Sequence, residues 1–377
     1  MFGNAPIIRI FGIALNLFVS FYLYLFIRIF AIMKRVLIIG AGGFIGGFIA
    51  AESLRRGYET WVAVRESTSR RFLDDPRLHF VVLDYDDSVQ MQQALSDALP
   101  VGEKWDWIVY NLGATKVTNY FDFNRINYMY LKSVVETLKA IDKVPERFLY
   151  MSSLSALGPG DEKGYAPYTS RDIPNPNTRY GLSKVKSETF LAMTPDFPWI
   201  IFRPTGVYGP HERDYLMMIK SIDRHWDFGV GYRKQMLTFI YVSDLATAVF
   251  DALQRGKIGK SYLISEPKAY TQSQFRRIVA RELDKKWVIP VRLPLWAVKI
   301  ASIVAEKYGV AKMKPSTLNS DKYKIMKQRN WNVDVSDAVA DFGFNPQFDL
   351  ERGIKATVEA YRKEQAEEKE ANKKLKK

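Results

Sequence analysis

The sequence predicts an α/β protein: a doubly wound parallel sheet followed by a smaller C-terminal substrate-binding portion. Short β-rich runs alternate with helical stretches from residue 36 onward, as in strands joined by helical crossovers. The strand cores are continuously apolar, Val36-Leu37-Ile38-Ile39 first among them, which suits strands covered on both faces. A glycine-rich turn, Gly40-Ala41-Gly42-Gly43-Phe44-Ile45-Gly46, stands between the first strand and the first helix.

Taken in order, residues 1–32 form a hydrophobic N-terminal segment. Ile10 to Ile27 is eighteen residues without a charge, just long enough for a transmembrane helix. Arg28, Lys34 and Arg35 follow it while only Arg9 precedes it, which would leave the rest of the chain in the cytoplasm. No small-residue cleavage site follows a short apolar core, so a removed signal peptide is not expected. The first core strand starts almost without a linker, and Met33-Lys34-Arg35-Val36-Leu37 reads as a natural domain start. A membrane anchor over residues 7–32, holding a cytoplasmic catalytic domain at the inner face of the membrane, is one reading. A mis-assigned start codon and a soluble hydrophobic arm are the others.

Residues 33–204 read as the dinucleotide-binding unit. Val36 to Gly40 is strand-like, and Phe44 to Arg56 is helical with Gly57 as its stop. Further strands are expected at Thr60 to Val64, His79 to Leu83, Trp107 to Tyr110, Phe148 to Met151 and Trp199 to Phe202. Helices fit over Asn124 to Ile141 and Tyr180 to Met193. From residue 205 the regularity fades, Gly, Pro and aromatics become frequent, and a helix is expected near Leu295 to Tyr308. Residues 205–360 read as the substrate-binding portion, with strands and helices interleaved, and 361–377 as a charged tail. No internal repeat is visible.

Composition narrows the function. At 377 residues and 47% hydrophobic, the chain can bury a large core. A net charge of +14 suits a nucleic-acid binder, a membrane-surface protein or an enzyme for anionic ligands. No Lys/Arg block with interleaved aromatics occurs in the body, so nucleic acid is not an expected partner. Part of the excess lies from Arg362 to Lys377, where seven Lys/Arg face four Glu, in what reads as a solvated frayed helix. Zero cysteines exclude disulfides, thiolate metal ligands and thiol nucleophiles. His79, His211 and His225 are the only histidines and lie at no metal-ligand spacing; they read as surface or loop residues, and no metal is expected.

Glycines at 40, 43 and 46 allow a tight turn, close approach of backbone to phosphate and close packing of helix on strand. The N-terminus of the following helix, at Phe44 and Ile45, then faces a pyrophosphate. Nineteen residues past Gly46, where an NAD site would place a carboxylate on the ribose, stands Arg65, followed by Glu66, Ser67, Ser69, Arg70 and Arg71. An arginine fork suits a 2′-phosphate, so NADP is preferred over NAD, with Glu66 able to rotate in for the latter. Asp84, ending the third strand, is placed either to meet the adenine amino group or to cap a helix with Asp86 and Asp87.

Tyr-x-x-x-Lys occurs four times, as Tyr128/Lys132, Tyr180/Lys184, Tyr308/Lys312 and Tyr323/Lys327. Only Tyr180 sits on an expected helix behind a serine-rich strand end, Met151-Ser152-Ser153-Leu154-Ser155. Spacing i, i+4 puts phenol and ammonium on one helix face. A lysine charge and a cationic nicotinamide both favour phenolate; lowering a tyrosine pKa by about three units takes roughly 4 kcal/mol. Tyr180 would then serve as acid and base near neutrality, Ser153 would hold the same substrate oxygen, and Lys184 would hold the nicotinamide ribose.

These motifs, with Asn111-Leu112-Gly113-Ala114, Asn127, Arg203-Pro204-Thr205-Gly206-Val207-Tyr208-Gly209-Pro210 and Tyr241-Val242-Ser243-Asp244-Leu245-Ala246, occur in one order. From about residue 34 to 362 the chain resembles the extended short-chain dehydrogenase/reductase family, of the NAD-dependent epimerase/dehydratase type. The resemblance implies a Rossmann-type fold and Ser153, Tyr180 and Lys184 as the triad. It also puts Pro204 and Val207 near the nicotinamide and the strand end from Asn111 to Ala114, with Asn127, along the cofactor cleft. The chain departs from the family pattern at three places. Leu154 and Ser155 follow the triad serine where dehydratases carry an acidic pair, Leu237 stands where sugar-nucleotide epimerases often place an arginine, and Arg203 stands where many carry Asn. Arg213, Arg224 and Arg233 are candidate substitutes for a diphosphate contact. Trp331, Asp337-Ala338 and Phe342-Gly343-Phe344-Asn345-Pro346 look more like the 3β-hydroxysteroid dehydrogenase and dihydroflavonol reductase branches.

Three functions are weighed: an NAD(P)-dependent oxidoreductase acting on a secondary alcohol or ketone, a nucleotide-sugar epimerase on the same fold, and a non-enzymatic NADP-binding regulator or scaffold. Retention of all three triad residues argues against the last. The partner required is a small-molecule substrate, with a homodimer left open. Tyr208, Tyr215, Trp226, Phe228 and Tyr232 suggest either an apolar, ring-bearing ligand or ordinary core packing.

Overall fold

The computed structural model describes residues 33–314 and 316–375; the apolar segment read as an anchor or a mis-assigned start lies outside them. Seven parallel strands form one sheet in the order β11-β6-β5-β4-β1-β2-β3. They are β1 (Arg35–Ile39), β2 (Glu59–Val64), β3 (Leu78–Val82), β4 (Trp107–Tyr110), β5 (Arg147–Met151), β6 (Trp199–Pro204) and β11 (Lys260–Ile264). Between β1 and β4 the order reverses, and such a switch point opens a crevice at the carboxyl ends of the strands.

Alternation along the strands explains their unbroken apolar runs. Val36 and Ile38 join Val62, Val109, Leu149 and Ile200 in the core on one face, while Leu37 and Ile39 join Ala63, Ile108, Phe148 and Ile201 on the other. The first face is covered by α1 (Phe44–Arg55), α7 (Val242–Arg255) and α11 (Ser336–Phe342). The second is covered by α2 (Ser88–Asp97), α4 (Tyr130–Ala140) and α5 (Arg179–Met193). All four apolar side chains of β1 are fully buried, a gross contribution of roughly 6–12 kcal/mol before chain entropy is counted. At Gly57 the chain turns out of α1 as expected, with Tyr58 N donating to Ser53 O at 3.1 Å.

Two elements differ from the sequence reading. The helix expected over Asn124 to Ile141 starts as α3 (Phe121–Asn124), widens into a π turn over Arg125–Met129 and continues as α4. Such bulges collect at functional sites, and this one carries Asn127. The stretch between β3 and β4 holds α2, capped by Asp87, whose carboxylate accepts from Val89 N and Gln90 N at 3.0 Å each. Its face is mostly polar, which hid it from an apolar-periodicity reading.

Past residue 204 the chain builds a second body and also returns to the sheet. β7 (Gly206–Tyr208) pairs with β10 (Phe239–Tyr241), β8 (Trp226–Val230) with β13 (Ile289–Leu293), and β9 (Met236–Leu237) with β12 (Tyr270–Thr271). α6 (Arg213–Asp223), α8 (Gln272–Glu282) and α12 (Leu350–Leu375) enclose a third core containing Tyr208, Phe239, Phe275, Ile354 and Val358. α9 (Leu295–Ala311) and α10 (Ser320–Lys327) pack on each other beside it. Meanwhile β11 and α7 complete the parallel sheet, so the first body draws on residues from both sides of position 204. No helix among the described residues is long and apolar enough to cross a membrane.

Candidate active site

At the switch point lies a cleft of about 1320 Å³. Its floor is the turn after β1. Gly40 has φ +85°, and a Cβ there would lie 2.7 Å from Leu112 N, on the neighbouring strand end. A Cβ on Gly46 would stand 2.3 Å from Gly40 O, so close packing of α1 on the turn needs glycine at both places. Gly43, Phe44 and Ile45 line the cleft, and no side chain caps α1. Its first N–H groups therefore remain available to an anion.

Along one wall run Arg65, Ser67, Thr68, Ser69 and Arg71. Thr68 shapes this loop: its Oγ1 accepts from Arg65 N at 3.0 Å, and its own N donates to Arg65 O at 2.9 Å. Arg70 turns away to lie 4.5 Å over the Phe80 ring, so Arg65 and Arg71 are the cleft's guanidinium groups here. Asp84 is exposed and is not among the cleft-lining residues; its carboxylate accepts from Asp86 N at 3.0 Å. Its neighbour Tyr85 lines the cleft instead.

Opposite, the ends of β4 and β5 meet α5. Asn127 is fully buried and ties the strand end down: its Oδ1 accepts from Ala114 N at 2.7 Å, and its Nδ2 donates to Ala114 O at 3.1 Å and Ser183 Oγ at 2.8 Å. A Cβ at Gly113 would sit 3.1 Å from both Asn127 Oδ1 and Lys184 Nζ, so a side chain there would press on the strand-end anchor and the lysine. Ser153, Tyr180 and Lys184 all line this wall, with Pro204 and Val207 at the end of β6 and in β7. The Ser153 hydroxyl, which accepts from Ser155 N at 3.2 Å, lies close enough to the Tyr180 phenol to favour its ionised form. Lys184 is buried, donates to Met151 O at 2.8 Å and holds its Nζ 5.9 Å from the Tyr180 ring centre.

Charge in this wall follows from burial. Loss of solvent pushes Tyr180 up to about 12, with the neighbouring Ser153 hydroxyl pulling down. Burial lowers Lys184 to about 8, with Glu188 opposing. The lowered tyrosine pKa expected from a lysine charge and a cationic nicotinamide is thus absent in the free site, where loss of solvent outweighs what the neighbouring groups supply. Lys184 remains mostly protonated at pH 7.

Several site residues carry no sequence signature. Glu188, on α5 below Lys184, accepts from Arg203 Nη2 at 2.7 Å and from the Ser152 hydroxyl, so both are buried and paired. Asp321 of α10 reaches across to the first turn of α5, its Oδ2 accepting from Arg179 N at 2.8 Å and Tyr180 N at 3.2 Å. A carboxylate is favourable at a helix N-terminus, so the second body steadies the helix that carries the tyrosine. Lys116 and Lys322 share Asp214 across the cleft. Of the three arginines proposed for a diphosphate, only Arg213 is among the cleft-lining residues. None of the five aromatics proposed for an apolar ligand lines the cleft: Tyr208 and Tyr215 pack in the third core, and Trp226, Phe228 and Tyr232 are exposed. His211 is exposed in the turn before α6, a surface loop position as read, and from there it lines the cleft and lies 2.9 Å from Glu364 of α12; the charged tail is the end of that helix.

The donor set fits a dinucleotide. The glycine turn is a cradle that side chains would fill, and Thr205 Oγ1 and Asp321 Oδ1 on the cleft wall are buried with no protein partner. No cluster of His, Cys, Asp or Glu able to hold a metal occurs among the described residues. The sheet order, cradle and cleft together define a dinucleotide-dependent enzyme on a Rossmann fold. The NAD dependent epimerase/dehydratase family model matches residues 36–265, and the chain belongs to that family. UDP-glucose 4-epimerase of Vibrio cholerae is 25% identical over 338 residues, 87% of this chain and 95% of that protein. Ceramide reductase of Caulobacter vibrioides is 24% identical over 328 residues, 87% of this chain and 94% of that protein. The solved structure of dTDP-glucose 4,6-dehydratase from Bacillus anthracis in complex with NAD superposes with a TM-score of 0.68 at 17% identity, covering 88% of this chain and 97% of the other.

Proposed function

We propose that this protein is an NAD(P)-dependent oxidoreductase acting on a secondary alcohol or ketone, with Ser153, Tyr180 and Lys184 as its triad. One observation carries the reading: phenol, hydroxyl and ammonium converge on one wall of the cleft that the glycine turn floors. A nicotinamide held in the cleft would supply or accept hydride at the substrate carbon. In the reducing direction the substrate carbonyl carbon takes hydride while its oxygen takes the Tyr180 proton, leaving an alcohol and a phenolate. Ser153 holds that oxygen through its hydroxyl. Lys184 holds its ammonium on the same wall, where a positive charge favours the phenolate. A nearby cationic ring adds to it, bringing Tyr180 from about 12 toward neutrality. Gly40, Gly43, Phe44, Ile45 and Gly46 hold the pyrophosphate, and Arg65 with Arg71 favours a 2′-phosphate, hence NADP over NAD.

A nucleotide-sugar epimerase is the second reading. It is favoured by the Vibrio cholerae relative and by Arg213, Lys116 and Lys322 on the cleft wall, cations suited to a diphosphate. Cytoplasmic placement and an N-terminal membrane segment rest on the charge pattern around Ile10 to Ile27 alone. Calorimetric titration with NADPH and NADH, followed by a carbonyl panel and a sugar-nucleotide panel, separates the readings. Stoichiometric loss of NADPH with a ketone is expected; turnover of a sugar nucleotide with no net change in cofactor would give the epimerase instead.

A further inference from the structure

α9 is inverted relative to an ordinary surface helix. Its buried positions are Val298, Ser302 and Gly309. Trp296, Ile300, Val304 and Tyr308, four residues apart along one stripe, are 69%, 56%, 62% and 66% exposed. A helix on a globular protein normally turns its apolar stripe inward. Here the one acid, Glu306, points inward, accepting from Ser320 N at 2.8 Å. The strand pair that precedes the helix in the chain also carries exposed apolar side chains. On the preceding strand pair, Trp226 and Phe228 stack 6.2 Å apart on the exposed side of β8, and exposed Ile289 of β13 lies beside Trp226 in register. Single exposed apolar residues are ordinary, but a run of this extent marks a binding surface.

Charge selects the occupant. From Lys285 to Lys314 the chain carries seven Lys/Arg against Glu306 alone. Lys299, Lys307 and Lys312 are exposed along α9 and its end. A second copy applying the same stripe would bring these ammonium groups together, which opposes self-association. An anionic bilayer accepts both features: the stripe enters the acyl boundary, the lysine stems lie along it with their charges among the headgroups, and Trp296 and Tyr308 suit the interface.

We propose that α9, with the exposed side of β8 and β13, docks the protein onto an anionic lipid bilayer, lying in the interface rather than spanning it. α10, packed against α9, carries Asp321, Lys322 and Ile325 of the cleft wall, so docking holds the active site one helix from the lipid.

The N-terminal apolar segment could itself hold the chain on vesicles, so the test reads α9 locally in the full-length protein. The chain has no cysteine, and an environment-sensitive fluorophore can be attached through Ile300→Cys. Val101→Cys, on a fully exposed turn before β4, serves as control. With vesicles of phosphatidylglycerol and phosphatidylcholine, the label at 300 should brighten, shift blue and be quenched by nitroxide-bearing lipid, while that at 101 stays unchanged. Phosphatidylcholine alone should give a much weaker response, and Lys299→Gln or Lys307→Gln should each weaken it about fivefold. Three results would overturn the proposal: no vesicle binding, binding with a silent label at 300, or a label already shielded without lipid, as cover by residues 7–32 or by a second copy would produce.

Discussion

Tyr180 and Lys184 are pressed in opposite directions by one desolvated wall, and both stay neutral more readily than their free forms. For Lys184 this is a stability cost. Its pKa falls from 10.5 to about 8, so below pH 8 the unfolded chain holds the same proton under better solvation, and the cost is fully present. Between pH 8 and 10.5 the unfolded state binds the extra proton, so stability rises with pH as the cost is relieved. Lys184→Met should therefore raise the melting temperature of the cofactor-free protein by several degrees at pH 7, from on the order of 2–3 kcal/mol, while abolishing turnover. The difference from wild type should shrink above pH 8; scanning calorimetry across pH checks both. Glu188 gives the opposite case. Glu188→Ala leaves Arg203 buried and unpaired, and denaturant titration should show a loss of about 3–5 kcal/mol. Of these residues, Ser153, Tyr180 and Lys184 were legible because helix spacing and strand-end position constrain them. The pairing of Glu188 with Ser152 and Arg203 was not, since an ion pair across fifteen residues obeys no local rule.

At the scale of elements, the turn after β1 and the N-terminus of α5 position the chemistry. Gly40→Ala imposes a left-handed conformation costing roughly 1–2 kcal/mol, and a Cβ 2.7 Å from Leu112 N pushes the β4 end outward. Dinucleotide affinity should fall at least tenfold by calorimetry, with a matching loss in denaturant stability. Asp321→Asn removes a carboxylate from the first turn of α5 while keeping an acceptor; about 0.3–1 kcal/mol of stability should go, measured by denaturant titration. The strands of the sheet were readable because burial on both faces leaves an unbroken apolar run. The π turn was not: within it Asn127 is hydrogen-bonded to Ala114, a tertiary contact that periodicity cannot report.

Across the whole molecule, the division into residues 33–204 and 205–360 describes sequence texture better than packing. β11 pairs with β6, and α7 covers α1 through the core that includes Ile49, Val249 and Phe250. A chain ending at residue 204 should accordingly lose cooperative unfolding by circular dichroism, whereas an independent domain would keep it. The charged tail shows the same lesson, since Glu364 belongs to the cleft through a histidine that its spacing made look idle.

The most direct measurement is turnover by Tyr180→Phe, alongside its NADPH affinity, on the first substrate found active with wild type. Loss of the phenol proton with the ring and its packing kept should lower kcat by about 10²–10⁴ and leave cofactor affinity within about twofold of wild type, well under the 1.4 kcal/mol that a tenfold change represents. A variant that binds cofactor and turns over at the wild-type rate would contradict Tyr180 as the proton donor, and with it the proposed triad.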